Sequence, residues 1–484
     1  MSDLPPPPPG DPRYPSGPPT RPPSDGGGWT APGSPPPGPP AAPASTPEPD
    51  GGSPGGGGRR RVGLAVAIVA VLALLAATVM VVTRGDDADT ALDDPALDRG
   101  ATTTAPAPEE VPPSTEAPPA EDPADELSED ELRVLVDDLQ AYVAEARGLE
   151  FLRPVVVELA ADDEFEARLR EKFEEDLDQI EQVEVFYRAL GLIEPDRSLV
   201  DLLRDLYAQG VLGFYDPETD ELVVRGTELS PYVRQTIVHE LVHALDDQHF
   251  ELFREQYDER DDEIATGFTA LVEGNARRIE QQWLADQPTD VREQAREEEQ
   301  AFGSGIDVEA FPEILLFEIG APYELGEIFV DALEAAGGER AVDAAFQDPP
   351  TTSEQVLFPP LYVAREQRIE VPPPPADGEI IDQGVVGALF WFGLFTTGDS
   401  TVAPQDAFGA IQGWGGDWAV TWEDGDAACV RIDVVGDTEQ DTAELEESMS
   451  AWADGSGVAD VQTVDGRVRL ESCVAGAAGG NPQV

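Results

Sequence analysis

From residue 127 onward the chain alternates between two hydrophobic periods, and each change of period marks an element. Leu132, Leu135, Val136, Leu139, Tyr142 and Val143 recur at helical spacing behind Ser128 and Glu131, a capping-box pair. Further helical blocks are predicted over 163–189 and 198–208. The period then shortens. Val211–Tyr215 and Glu221–Arg225 are strand-like runs around Asp216-Pro217-Glu218-Thr219-Asp220, which predicts a β-hairpin. Ser230-Pro231 opens the next helix with a capping hydroxyl and a first-turn proline, and Val233, Ile237, Val238, Leu241, Val242 and Leu245 line it. Helices over 261–285 and 323–336 follow. Pro372–Pro375 mark a boundary. Beyond it, 384–395 reads as a buried helix, and Val430–Val435 and Arg467–Leu470 read as strands flanking a helix at 443–453. The sum is an α+β fold: a mostly helical domain with a small hairpin over 127–371, then a C-terminal α+β unit over 376–484.

The N-terminal quarter follows different rules. Residues 1–58 are dominated by Pro, Gly and Ser, bury too little apolar surface to offset the entropy of ordering, and are expected to be a disordered tail. Val62–Val82 carries no charge and follows Arg59-Arg60-Arg61. As a helix it is about 32 Å long, enough to cross a bilayer. A cleaved signal peptide has a shorter apolar region and a small-residue cleavage site, so 59–84 reads as one uncleaved transmembrane helix. Its basic flank places the tail in the cytoplasm and the rest outside. Residues 85–126, rich in Asp, Glu, Pro and Thr, read as a disordered, self-repelling stalk.

Charge removes one class of partner. The net charge is −68, and Lys172 is the only lysine, whereas a nucleic-acid surface needs clustered cations. The two cysteines, Cys429 and Cys473, fall on the predicted outer side, where a disulfide between them is permitted.

The candidate chemistry sits on the helix that Ser230 opens. Its sequence includes His239-Glu240-Leu241-Val242-His243. Histidines four apart on a helix differ by about 40° around the axis and reach one ion, while the glutamate beside the first can take a proton from water at an open coordination position. Two residues compete for the third ligand. His249 lies six beyond His243, but on a continuing helix it is turned by about 240° away. Glu273, in Ala270-Leu271-Val272-Glu273-Gly274-Asn275-Ala276, lies beside an apolar stripe of Phe268, Val272, Ala276, Ile279 and Trp283, where a bound cation would partner a buried carboxylate.

HELVHALDDQHF followed by ALVEGNA resembles the gluzincin-type zinc metallopeptidases of bacteria, many of them secreted or membrane-anchored. The likeness extends to VLGFYDPETDELVV upstream and to PPTTSEQVLFPP and GWGGDW downstream. It implies a zincin-like domain with Zn²⁺ held by His239, His243 and Glu273, Glu240 as catalytic base, and a peptide or protein as substrate. In better-known gluzincins an acidic residue four after the ligand glutamate orients a ligand histidine; here that position is Arg277, which leaves Asp246 and Asp247 as candidates for the role. A second electrophile for the reacting carbonyl is expected to be a tyrosine, with Tyr323 and Tyr362 as candidates. The expectation is a membrane-anchored extracytoplasmic zinc peptidase. The alternative is a non-catalytic envelope protein that uses the same domain for binding.

Overall fold

The computed structural model describes residues 129–476, apart from 176, 195, 255–261 and 399. The tail, the predicted membrane helix, the stalk and the Ser128 cap lie outside the described residues. Among the described residues no helix is long and apolar enough to cross a membrane.

The fold is α+β. Helix α1 (Glu129–Arg147) leads to strand β1 (Val157–Ala160) and helices α2 (Asp162–Glu175), α3 (Leu177–Ala189) and α4 (Leu199–Gly210). Where the periodicity predicts one helix over 163–189, the structure has two on either side of residue 176. The hairpin forms as β2 (Gly213–Asp216) and β3 (Glu221–Arg225), antiparallel in register from Gly213↔Val224 to Asp216↔Glu221. β1 adds parallel to β3, so the sheet order is β1-β3-β2 and β2 is an edge.

Helix α5 (Pro231–Phe250) begins as its sequence dictates, with Ser230 Oγ accepting from the Val233 N–H at 3.4 Å. It ends where Glu251 adopts a left-handed φ of 56°. Buried on all sides through its middle, it is a core helix rather than a surface one. Val233, Ile237, Leu241 and Leu245 pack with Val136 and Val143 of α1, Leu222 and Val224 of β3, and Ile279 and Trp283 of α6 (Asp262–Asp286).

Next come α7 (Thr289–Gly303) and α8 (Glu313–Gly337). The latter runs straight through Pro322, whereas the sequence suggests a start after it. Burial of Ile314, Leu315 and Leu316 before that proline and Phe329, Val330 and Leu333 beyond it outweighs the lost N–H donor. α8 crosses α6 at a pair of glycines. A Cβ on Gly274 would lie 2.0 Å from the carbonyl carbon of Gly326, and one on Gly326 would lie 2.0 Å from the Ala270 oxygen. Only glycine at both positions permits this approach.

Helices α9 (Glu339–Gln347), α10 (Ser353–Leu357) and α11 (Pro359–Ala364) lead to the C-terminal part. It holds β4 (Ile380–Gly384), α12 (Ala388–Thr396), α13 (Pro404–Gln412), β5 (Trp414–Asp424), β6 (Ala427–Gly436), α14 (Glu439–Ser456), β7 (Ala459–Val464) and β8 (Arg467–Ala475). Its sheet has the order β4-β5-β6-β8-β7. The largest apolar core draws on both sides of Pro372–Pro375: Leu169, Phe173 and Leu206 belong to the same cluster as Trp391, Val430 and Met449.

Cys429 and Cys473 face each other across β6 and β8 and are bonded, closing a loop of sequence separation 44. Replacing both by alanine is expected to lower stability by about 4 kcal/mol in the chain-entropy picture. Chemical denaturation reads this directly, and an unchanged midpoint would contradict it.

Candidate metal centre

Two helices supply the candidate ligands. α5 presents His239 and His243 one turn apart, with ring centroids 4.7 Å from each other at 80°. α6 brings Glu273 against both: its Oε2 lies 3.3 Å from His239 Nε2 and 3.4 Å from His243 Nε2. All three residues are buried, and their donor atoms lie within 4.8 Å of one another. Among the described residues this is the only such group of three or more.

The residues fit a metal ion. Bonds of about 2.0 Å in a tetrahedron place neighbouring donors about 3.3 Å apart, which is the spacing of Glu273 from each imidazole. Glu273 Oε1 is buried with no hydrogen-bond partner, a costly state for a carboxylate that no cation touches. Burial opposes charge on His239, but hydrogen bonds to Glu273 and Glu280 outweigh it and raise the imidazole to about 10. Burial likewise acts to raise Glu273, and the two imidazoles overcome it, bringing the carboxyl down to about 2. Metal binding must therefore displace a proton.

Glu240 lies between the ligands in sequence and is buried beside them. Its Oε1 has no partner, and the backbone N–H of Tyr215 on β2 donates to its carboxylate. Burial raises this carboxyl to about 7 against the pull of His243 and His239. β2 can pass this close because residue 213 is glycine: a Cβ there would lie 2.8 Å from Thr236 Cγ2 and 3.5 Å from Glu240 Cγ.

The carboxylate placed to orient a candidate ligand histidine is Glu280, which no sequence motif marks. Its Oε2 lies 2.9 Å from His239 Nδ1, and its Oε1 accepts from Gln235. Seven residues past Glu273, it falls two turns on and on the same face of α6, a spacing that could have found it. Neither acidic candidate on α5 does this work. Asp246 Oδ1 accepts two hydrogen bonds from buried Arg147, at 2.9 and 2.8 Å, and its Oδ2 accepts from Asn275 at 2.6 Å. Asp247 accepts from the Tyr215 hydroxyl and the Leu252 N–H. Arg277 pairs with Glu327 at 2.8 Å.

His249 stays on α5 and turns away, its Nε2 2.9 Å from the Glu150 carbonyl oxygen. Of the two tyrosines, Tyr362 donates to the Asp348 carbonyl at 2.9 Å. Tyr323, on α8 beside the glycine crossing, stacks on His239 with centroids 6.2 Å apart, and its buried hydroxyl has no partner. Burial, then Glu273 and Glu240, hold that phenol well above its ordinary pKa, so it keeps its proton.

Compared with protein-family models, curated proteins and solved structures, the chain matches none.

Proposed function

We propose that the protein is a membrane-anchored zinc peptidase whose catalytic domain lies outside the cytoplasm. The observation that carries this is Glu240: a buried carboxylate with one free oxygen beside a His-His-Glu group that already has the spacing of metal ligands. An ion held only for structure needs no base at an open position. Two imidazoles and a carboxylate suit zinc, which would supply the Lewis acidity that polarises a carbonyl and acidifies water.

The chain's own residues divide the remaining work. Glu240 takes a proton from water at its free Oε1 and passes it to the leaving amine. Tyr323 donates its unpartnered hydroxyl to the carbonyl oxygen as negative charge grows there. Glu280 fixes the His239 ring through Nδ1 so that Nε2 faces Glu273. β2 is the outer strand of its sheet among the described residues, and an extended peptide added there would run beside Glu240 once it displaces what covers that strand. The anchor reading rests on Val62–Val82, and the Cys429–Cys473 disulfide supports an oxidising compartment.

The test is digestion of a broad library of unstructured peptides by the full-length protein, with and without a chelator. Chelator-sensitive cleavage is expected. No cleavage by the metal-loaded protein would leave the domain a binding module. Tyr323→Phe is expected to lower kcat about 100-fold with KM little changed. A loss confined to KM would contradict the role given to its hydroxyl.

A further inference from the structure

A second polar contact joins α5 to α6 within a turn of the candidate ligands. Asp246 follows His243 by three residues and Asn275 follows Glu273 by two. Asn275 Nδ2 donates to Asp246 Oδ2 at 2.6 Å, and both side chains are buried. Around this bond runs a closed ring of polar groups from α1, α5, α6 and α9. Arg147, the last residue of α1, donates to Asp246 Oδ1 through Nε at 2.9 Å and Nη2 at 2.8 Å. Its Nη1 donates to Glu339 Oε2 of α9 at 2.6 Å. Arg278 of α6 closes the ring, meeting Asn275 Oδ1 at 3.0 Å and Glu339 Oε1 at 2.8 Å. The Arg147 guanidinium also lies over Phe250 and Phe346, 6.0 and 5.7 Å from their ring centroids.

A buried ion pair adds little net stability over apolar packing of the same volume, because desolvation offsets the attraction. What directional hydrogen bonds do fix is registry. The rest of the α5–α6 interface is apolar, with Ile237 and Leu241 in one cluster with Ala276, Ile279 and Trp283. Apolar contact is non-directional, so it leaves the two helices free to slide by fractions of an ångström. The metal centre does not tolerate such sliding. Glu273 Oε2 stands 3.3 and 3.4 Å from the two imidazoles, and metal–ligand distances hold to about 0.2 Å.

We propose that the Asp246–Asn275 bond, held in place by Arg147, is the positioning contact that keeps α5 and α6 at the separation a metal ion needs. Arg147 occupies Asp246 Oδ1 from the α1 side and leaves Oδ2 turned to Asn275. Arg278 holds the Asn275 amide so that its Nδ2 faces Asp246. The proposal rests on the metal-site reading and not on cleavage: a wild type that binds zinc and cuts no peptide removes the peptidase alone.

The test exchanges the two side chains in the full-length protein. Asp246→Asn sets two amides face to face, and Asn275→Asp sets two carboxylates together. The double variant Asp246→Asn/Asn275→Asp restores a donor opposite an acceptor, keeps the net charge and puts the carboxylate beside Arg278. Asn275→Ala cuts the link without creating a new repulsion. Zinc affinity is read by competition with a chelator, and folding by the Tm of the metal-free proteins. Each single variant is expected to bind zinc about tenfold more weakly or worse, and the double variant to return to within about threefold of the wild type. A contact that serves folding alone would lower the metal-free Tm of Asn275→Ala and leave its zinc affinity unchanged, and that result overturns the proposal. So does a double variant that fails to fold or binds zinc no better than the singles. A wild type that binds no zinc overturns both this proposal and the metal site.

Discussion

Glu240→Gln is expected to lose about 10⁴-fold in kcat, the upper range for removal of a general base, while holding as much metal as the wild type. The exchange is nearly isosteric and keeps an acceptor for the Tyr215 N–H that now meets the carboxylate. It removes only the oxygen basicity needed to accept a proton. Neither the orphan carboxylate oxygen nor an amide nitrogen in its place has a partner there, so both are costly to bury. Stability should therefore change little as activity disappears. Steady-state kinetics with metal analysis on the same sample would show this, and a variant retaining more than about a tenth of wild-type kcat would exclude Glu240 as the base.

Gly274→Ala is expected to be costly as well, and its sign is the informative part. In an exposed helix this exchange stabilises by about 1 kcal/mol. Here the new methyl would meet the carbonyl carbon and oxygen of Gly326 at 2.0 and 2.2 Å and the Glu327 nitrogen at 2.5 Å. These are all backbone atoms and cannot rotate aside. α6 and α8 must separate, so a net loss of roughly 3 kcal/mol is expected, at the upper end for overpacking. Glu273 immediately precedes this glycine and Tyr323 lies three residues before Gly326, so metal affinity should fall with stability. Thermal or denaturant unfolding decides it. A midpoint equal to or above the wild type would mean that the crossing is not as tight as described.

That glycine also shows what the sequence could and could not convey. Local signals were legible because they depend on neighbours a few residues away. The Ser230 cap, the uninterrupted course of α5 past His243 and the β2–β3 hairpin all follow from spacing and turn chemistry. So did the meeting of His239, His243 and Glu273, in part through a resemblance that extends over ALVEGNA. The roles of Gly274 and Asn275 in that stretch were not legible. One needs α8 beside it, and the other needs Asp246, which in turn needs Arg147 from α1. Strand β5 was hidden for a similar reason. Its glycines look like a loop, yet a Cβ on Gly416 would lie 2.3 Å from the Ile369 oxygen, so close packing rather than a turn accounts for them. β1 is four residues long and gains its identity only by pairing with β3. Glu280 is not marked by the family pattern, which has its acidic residue four past the ligand glutamate, where Arg277 stands, rather than seven past it.

The metal site itself is tested most directly by elemental analysis of the purified full-length protein beside Glu273→Ala and His249→Ala. One zinc per chain is expected in the wild type and in His249→Ala, and loss of most of it in Glu273→Ala. Zinc retained in Glu273→Ala and lost from His249→Ala would contradict it.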